Sequence, residues 1–597
     1  MKATAEQTAA IAARGEVMVS ASAGAGKTTV MIQRLADIIC GGVDLDNVLC
    51  VTFTKKAAAQ MKDKLRSELV KRLNTEDSET RNHLRRQLGK INTADISTID
   101  AFCSRLVKTY FYELQIDSSF EVIADEAERA ALKERAMDAV FESRYKAADE
   151  EFLMLLQRLK RKRSDKPVRT MLSDAYEKVR ICPDYRLLLE RAKEETYTEN
   201  GFLEVCARIK AAVNEKLENV ICAIDEFEVK FAKLKDDPKF FQILDDLRQN
   251  IGSYVKSPNL FNAPQKLTAL RRPSGKADED LLFKDFCENV KEKFKKLTDY
   301  EEQGERLRFF ESGKLAVAFC NLLFEFDKEY AEVKRSEGKL DFGDLEQYSL
   351  RLLRGDDCDN DVKNKIREKY KYVFVDEYQD VNPIQDEIIS YATGEDIFCV
   401  GDVKQAIYGF RGSRSSFFTG KCESVDGRGS YIILPDNFRS SSAVINFVNQ
   451  VFSKVMKPPF CSFDYAAGHA MRGGSRYGDN FKGVAQFCVY DKDENTKEVA
   501  DKIYSVANEK VAAKKPTREA LAVLKLVKEA LNSTYYDADI GREVKVQMGD
   551  ICVLTRKRSS ASVQEIIRTL SAEYPVAAAA EVNICQRPEI IQLLDIL

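Results

Sequence analysis

The chain has 597 residues, enough for several domains, and its charged residues (32%) nearly cancel to a formal net charge of −3, which excludes a global basic field and leaves nucleic-acid binding to local patches. No apolar run of about 18 residues occurs and the opening "MKATAEQTAAIAARGE" does not read as a signal peptide, so no membrane association and a cytoplasmic location are expected. Fifteen cysteines without a C-x-x-C pair, beside two histidines, point to reduced thiols and away from zinc or iron–sulfur sites, and the absence of tryptophan leaves base stacking to Phe and Tyr.

The first informative stretch is "VSASAGAGKTTVMIQRL" (Val19–Leu35). The apolar run Val17–Met18–Val19 reads as a strand entering a small-residue loop, and a helix without glycine follows as far as Gly41. Ala and Gly let backbone N–H groups converge on an anion, and a helix N-terminus adds its positive dipole end. This is a P-loop, with Ala21 in place of the usual first glycine. The candidate nucleotide-binding set is Ala21, Ser22, Ala23, Gly24, Ala25, Gly26, Lys27, Thr28 and Thr29, with Lys27 reaching the β- and γ-phosphates of ATP and the Thr28 hydroxyl holding Mg²⁺.

"VLCVTFT" (Val48–Thr54) is a second strand, and "KKAAAQMKDKLRSELVKRL" a helix. From Lys90 to Asn200 there is no glycine, and no proline precedes Pro167, so long helices are expected. Residues 112–340 read as a mostly helical insertion with a loop near "RRPSGKADED" (Arg271–Asp280). The run "RLKRKR" (Arg158–Arg163) fits either a phosphate contact or, preferably, a solvated helix face.

Strands return with "YVFVDE" (Tyr372–Glu377), "DIFCVGD" (Asp396–Asp402) and "YIILPDN" (Tyr431–Asn437). Each is an apolar run ending in polar residues, as buried parallel strands with functional groups at their carboxyl ends do. Asp376 is placed to bind Mg²⁺ through water, and Glu377 to act as general base; the alternative is an acidic pair that merely ends a strand. In "GDVKQAIYGFRGS", Gln405 suits a γ-phosphate contact. Tyr408 and Phe410, near Lys404 and Arg411, suit single-strand binding or, alternatively, a core. In "LPDNFRSS", Phe438 suits stacking on a base, and Arg439 can stabilise a transferring phosphoryl group. Beyond Ser440 come a helix, the glycine-rich "AAGHAMRGGSRYGDN", further α/β pattern to "GDICVLTRKR", and a helix, "RPEIIQLLDIL", without a stop signal.

The ordered set "TAEQTAAI", "ASAGAGKTT", "VTFTKKAAAQM", "ISTIDAFC", "FVDEYQD", "GDVKQAIYGFRGS" and "LPDNFRSS" resembles the superfamily 1 helicases of UvrD/Rep/PcrA type over residues 4–450. "ISTIDAFCSRLVKTYFYELQIDSSFEVIADE", "LDFGDLE" and "GDVKQAIY" strengthen the likeness to the helicase–nuclease proteins AddA and RecB, AddA above RecB.

The resemblance implies an α/β P-loop NTPase with RecA-like parallel-sheet domains: a split domain over 1–111 and 341–425, the helical insertion over 112–340, a second domain from 426 to 574, and the start of a further helical region over 575–597. It implies that Gln7 reads adenine, Lys27 and Thr28 bind phosphates and Mg²⁺, Asp376 and Glu377 serve as metal ligand and base, Gln405 senses the γ-phosphate, Phe438 stacks on adenine, and Arg439 is an arginine finger. Thr52, Phe53, Thr98, Tyr408 and Phe410 would line the path of single-stranded DNA. Translocation 3′ to 5′, single-stranded and duplex-end DNA, a partner of AddB type, double-strand break repair and a nucleoid-associated bacterial location are implied in the same way.

Asp100 departs from the pattern, standing where the family has His, and no DNA contact is carried onto it. No "SKG" or "TRA" element and no nuclease carboxylates are found, so the chain is expected to be the N-terminal part of a longer protein and weakly active alone. A stand-alone UvrD/Rep-type repair helicase and a fragment that binds nucleotide or DNA without turnover remain as alternatives. A small-molecule P-loop kinase is disfavoured because no lid over a small acceptor is legible.

Overall fold

The computed structural model describes residues 3–74, 77–159, 164–256, 277–298, 301–355, 362–413, 415–425, 430–458, 461, 463–474, 486, 488–489, 516–537, 540–557 and 560–578. Four stretches singled out in the sequence lie partly or wholly outside these residues: Lys160–Arg163 of the basic run, the loop up to residue 276, the glycine-rich stretch beyond 474, and the helix expected over 587–597.

The fold is α/β. Strands β1 (Glu16–Ala21), β2 (Val48–Thr52), β3 (Ile96–Thr98), β4 (Glu121–Val122), β5 (Lys339–Leu340), β6 (Tyr372–Val375), β7 (Asp396–Gly401) and β8 (Ser430–Leu434) follow in chain order. Six of them form one parallel sheet in the order β3-β2-β6-β7-β1-β8. Pairs such as Ser20↔Gly401, Ala21↔Leu434 and Val375↔Cys399 bring the carboxyl ends of β1, β6, β7 and β8 to one edge. Ligands of open parallel sheets bind at that edge. Residues 430–434, assigned from the sequence to the start of the second domain, therefore pair with β1 in this sheet.

Alternation along β1 divides its side chains between two cores. Val17 and Val19 pack with α2 (Lys27–Cys40), α3 (Lys55–Arg72) and α4 (Ser78–Lys90), which follow the short α1 (Ala5–Ala12). Met18 joins Leu49, Val373 and Cys399 on the other face, beneath α5 (Ile99–Thr109).

The insertion runs through α6 (Glu126–Lys146), α7 (Glu150–Leu159), α8 (Lys166–Arg180), α9 (Tyr185–Glu194), α10 (Glu199–Ala232), α11 (Pro238–Lys256), α12 (Asp278–Thr298) and α13 (Glu302–Ser336). α6–α9 pack along the first core of α13, while α10–α12 bury a separate core around Phe231, Phe240 and Phe283. At 35 residues α13 is roughly 50 Å long. The chain enters and leaves the insertion side by side, through the parallel pair β4–β5. It then forms α14 (Phe342–Arg354), α15 (Val362–Lys369), α16 (Pro383–Ala392), α17 (Ser415–Val425) and α18 (Ser442–Val455). α14 and α16 complete the core under α5. Farther on, helices Arg518–Leu531 and Ala561–Ser571 pack on each other beside the hairpin Thr534–Asp537/Arg542–Lys545. The apolar run Ile551–Thr555 forms no ladder with another described segment, and Leu554 is 90% exposed.

Where α5, α14 and α16 meet, Glu346 is buried. Burial and then the nearby Asp100 push its carboxyl up to about 7, against opposing hydrogen bonds from Gln385 and Asn382 and the charge of Arg180. The Gln385 amide donates to Glu346 Oε1 at 2.6 Å. Between the ordinary value of 4.5 and about 7, the folded chain keeps a proton that the unfolded chain has released, so this group's contribution to stability falls as pH rises through that window. Glu346→Gln removes the ionisation while retaining an acceptor. Thermal melts should show the parental midpoint falling more than the variant's between about pH 5 and about pH 8, by an amount bounded at about 3 kcal/mol.

Candidate nucleotide site and adjoining cleft

At the carboxyl end of β1 the chain turns through Ser22–Gly26. Gly24 and Gly26 adopt φ of +74° and +82°, which side-chain-bearing residues adopt only at a cost. The Ala25 N–H donates to the Ser22 carbonyl (3.1 Å), closing the turn. Gly26 is the N-cap of α2 and supplies no side-chain cap, so the first-turn N–H groups are open to an anion. Ala21, Ser22 and Ala25 are buried, Ala23 and Thr28 half-buried, and Thr29 exposed.

Lys27 Nζ lies 3.0 Å from Glu377 Oε2, joining residues that the sequence holds far apart. Glu377 follows β6 in the left-handed region (φ 53°), which costs a non-glycine residue about 1–2 kcal/mol. The Asp376 N–H donates to the Val51 carbonyl at 2.9 Å. Burial, then the charge of Glu377, pushes the Asp376 carboxyl up to about 6. A cation bound there would reverse both penalties, so the site suits a divalent metal.

The third wall comes from the far side of β8. The Ser22 N–H donates to the Leu434 carbonyl (3.2 Å), and the Phe438 N–H to the Gly24 carbonyl (2.9 Å). Asn437 Oδ1 accepts from the N–H groups of Arg439 (2.9 Å) and Ser440 (2.8 Å). Phe438 is half-buried and Arg439 exposed. Gln7 enters from α1, where it completes a capping box with Thr4, and its amide donates to the Ala25 carbonyl at 3.0 Å. Gln7, the 21–29 loop, Asp376, Glu377, Phe438 and Arg439 thus surround one place. Gln405 is half-buried and turned toward Asp402, donating to Oδ2 at 2.6 Å.

Two residues here carried no role in the sequence reading. Gln379, buried, donates to Glu377 Oε2 (3.0 Å) and Asp380 Oδ2 (3.1 Å) and accepts from the Asp402 N–H (2.8 Å), linking the loops after β6 and β7. Nothing in "DEYQD" separates Gln379 from a surface glutamine. Arg34, fully buried in α2, pairs with Asp396 (2.7 Å) and donates to the carbonyls of Ala10 and Ile11 at the end of α1, which fixes the helix carrying Gln7. An arginine among Met31, Leu35 and Ile38 was the available signal, because a charge on a buried face needs a partner.

Phe53, Tyr408 and Phe410 form a ladder, with centroids 4.3 Å apart for Phe53–Tyr408 and 5.7 Å for Tyr408–Phe410. Phe410 is 81% exposed. The ladder borders a cleft of about 1380 Å³ between the sheet's edge and the insertion, lined also by Asp100, Arg169, Glu346 and Asp380. Thr52 and Thr98 are buried: the Thr52 hydroxyl donates to the Thr54 carbonyl (3.1 Å), and the Thr98 hydroxyl caps α5 by accepting from Ala101 (3.3 Å).

A P-loop, an acidic pair at the end of a neighbouring strand and an aromatic ladder beside them define a nucleotide-driven motor of the P-loop class. Residues 3–425 match the UvrD/REP helicase N-terminal domain, and the chain belongs to this family. It is similar to bacterial proteins named as the AddA component of an ATP-dependent helicase/nuclease. That of Lactobacillus helveticus (strain DPC 4571) is 29% identical over 590 residues, covering 93% of this chain and 48% of the relative. That of Lactobacillus acidophilus is 30% identical over 592 residues (93% and 48%), and that of Alkaliphilus oremlandii 29% over 633 residues (100% and 50%). The chain spans about half the length of the curated relatives it matches.

A β-carbon on Gly24 would stand 2.7 Å from Asn437 Oδ1 and 2.8 Å from Arg439 Cβ. Gly24→Ala should therefore push residues 437–439 off the loop and strain its own backbone. The expected result is a lower melting temperature and at least about tenfold weaker nucleotide binding by titration calorimetry, equivalent to about 1.4 kcal/mol.

Proposed function

We propose that this chain is the ATP-binding motor region of a DNA helicase of the AddA helicase/nuclease kind, coupling ATP hydrolysis to 3′-to-5′ movement along single-stranded DNA. The observation that carries this reading is the Lys27–Glu377 pair at 3.0 Å beneath an aromatic ladder that opens onto the cleft. The relatives' names support an ATP-dependent activity and, because they describe one component of a larger enzyme, a second chain of AddB type. Double-strand break repair in the bacterial cytoplasm is the corresponding setting.

The γ-phosphate of ATP competes with Glu377 for the Lys27 ammonium, and first-turn N–H groups of α2 hold the β-phosphate. Asp376 and the Thr28 hydroxyl hold Mg²⁺, which supplies charge neutralisation on the phosphates. Glu377 takes a proton from the attacking water as the new O–Pγ bond forms and the bond from Pγ to the bridging oxygen breaks, with ADP leaving. Gln379 holds Glu377 in orientation, Arg439 lies over the loop to meet charge on the transferring phosphoryl group, and Gln7 and Phe438 frame the adenine. Gln405 turns from Asp402 to the γ-phosphate, and bases stack on Phe53, Tyr408 and Phe410. Thr52 and Thr98 shape the path through the backbone they hold. We assign 112–340 to the insertion and begin the second domain after β8.

Lys27→Ala should abolish tight ATP binding in a nucleotide titration. Glu377→Gln should bind ATP nearly as the parent does, while lowering DNA-stimulated hydrolysis by at least ~10²-fold in a phosphate-release assay. Phe410→Ala should cost about 1–3 kcal/mol of single-strand affinity alike on mixed sequences, as measured by fluorescence anisotropy.

A further inference from the structure

Among the contacts between the insertion and the sheet, one three-residue stretch has no part in the functions assigned above: Arg180, Ile181 and Cys182, where α8 ends. All three of its carbonyls are held from the sheet side. The Gln347 amide of α14 donates to the carbonyls of Arg180 (2.8 Å) and Cys182 (3.1 Å). The Ile384 N–H, in the first turn of α16, donates to the Ile181 carbonyl (3.2 Å). The Arg180 guanidinium pairs with Asp344 at 2.8 Å, donates to the Tyr185 hydroxyl at 3.1 Å, and lies over the rings of Tyr176 and Tyr185. A mostly buried cation held this way fixes the stretch in register, because moving it would leave Asp344 and the guanidinium unpaired out of water.

The Ile181 side chain meets the loop after β7. That loop makes a tight turn over Gly409–Arg411 and closes at Gly412, whose N–H donates to the Gly409 carbonyl at 3.0 Å. Gly412 has φ +88°, and a β-carbon there would overlap Ile181 Cδ1, so both the backbone and the neighbour require glycine. Two residues earlier stands Phe410, the exposed end of the ladder. So exposed a ring has little packing of its own to orient it, and its direction is set by the backbone turn beneath it.

We propose that Ile181 is a positioning residue: seated against Gly412, it holds the 409–412 turn so that the Phe410 ring faces a base in the cleft, and it transmits movement of the insertion to the ladder. This rests on the reading of the ladder as a single-strand contact.

The test is a double-mutant cycle on the full 597-residue chain. Its probe is a short fluorescein-labelled oligothymidylate at fixed salt, with nucleotide affinity measured in parallel. Ile181→Ala should weaken oligothymidylate binding about five- to tenfold, within the range of one stacked base, and leave nucleotide affinity at the parental value. Ile181→Leu should restore most of the loss, and Gly412→Ala, which disturbs the same contact from the other side, should reproduce it. Adding Ile181→Ala to Phe410→Ala should cause little further loss, since both act through one ring. Parental oligothymidylate affinity in Ile181→Ala overturns the proposal, as do losses from Ile181→Ala and Phe410→Ala that multiply. Loss of nucleotide binding along with strand binding in both Ile181→Ala and Gly412→Ala overturns it in favour of a general structural role. If Phe410→Ala itself binds as the parent does, the single-strand reading fails, a result separate from failure of the positioning role.

Discussion

The parallel pairing of β1 with β7 on one side and β8 on the other is the constraint on which the rest of the structure depends. Parallel ladders align the ends of their strands, so this pairing gathers the loops after β1, β7 and β8 on one edge, with the loop after β6 next to them. The two hydrogen bonds that tie Ser22 to Leu434 and Gly24 to Phe438 continue the β1–β8 ladder into the loops themselves. The glycine turn is thereby enclosed from a segment more than half the chain away, and Gly24 has no room for a side chain.

The loops at this edge are also tied to one another. Gln379 commits both ends of its amide to them: its N–H₂ group to Glu377 and Asp380, its carbonyl to the backbone of Asp402. Asp402 in turn receives Gln405 and pairs with Lys404 at 2.8 Å. A displacement of Gln405 is therefore felt at Glu377 through two shared hydrogen-bonding groups. The left-handed backbone at Glu377 belongs to the same design, since strain of this kind persists only where surrounding contacts over-determine the conformation.

The insertion is held to the sheet by charge as much as by apolar packing. Lys334, near the end of α13, is buried against Asp341 and Asp344, and Asp344 also receives Arg180 from α8. Two cations and two carboxylates from three helices meet with little access to water. Breaking one partner out of such a group costs about 3–5 kcal/mol, whereas the intact group adds little net stability and serves mainly to specify geometry. The α10–α12 bundle, with its own core, has no such anchorage to the sheet among the described residues. The root of the insertion, rather than its far end, is where its orientation is fixed.

The sequence by itself determined the local chemistry. Small residues around Gly24 and Gly26 demanded a left-handed turn, apolar runs ending in polar residues marked β1, β6, β7 and β8, and the long stretch without glycine foretold the helices of the insertion. These features are legible because they arise from backbone sterics and short-range periodicity. Strand order was not legible, because periodicity states that a strand is buried but not beside which neighbour. Only the tertiary structure placed β8 against β1 and so brought Asn437 to Gly24. The partners of side chains were decided there as well. Thr52 and Thr98 lie at strand ends, where nearby backbone groups claim their hydroxyls, and Gln405 found Asp402 within reach. The roles of Gln379 and Arg34 had the same origin: each bridges segments distant in the chain, and such a partnership exists only once packing has removed the water that would otherwise satisfy it.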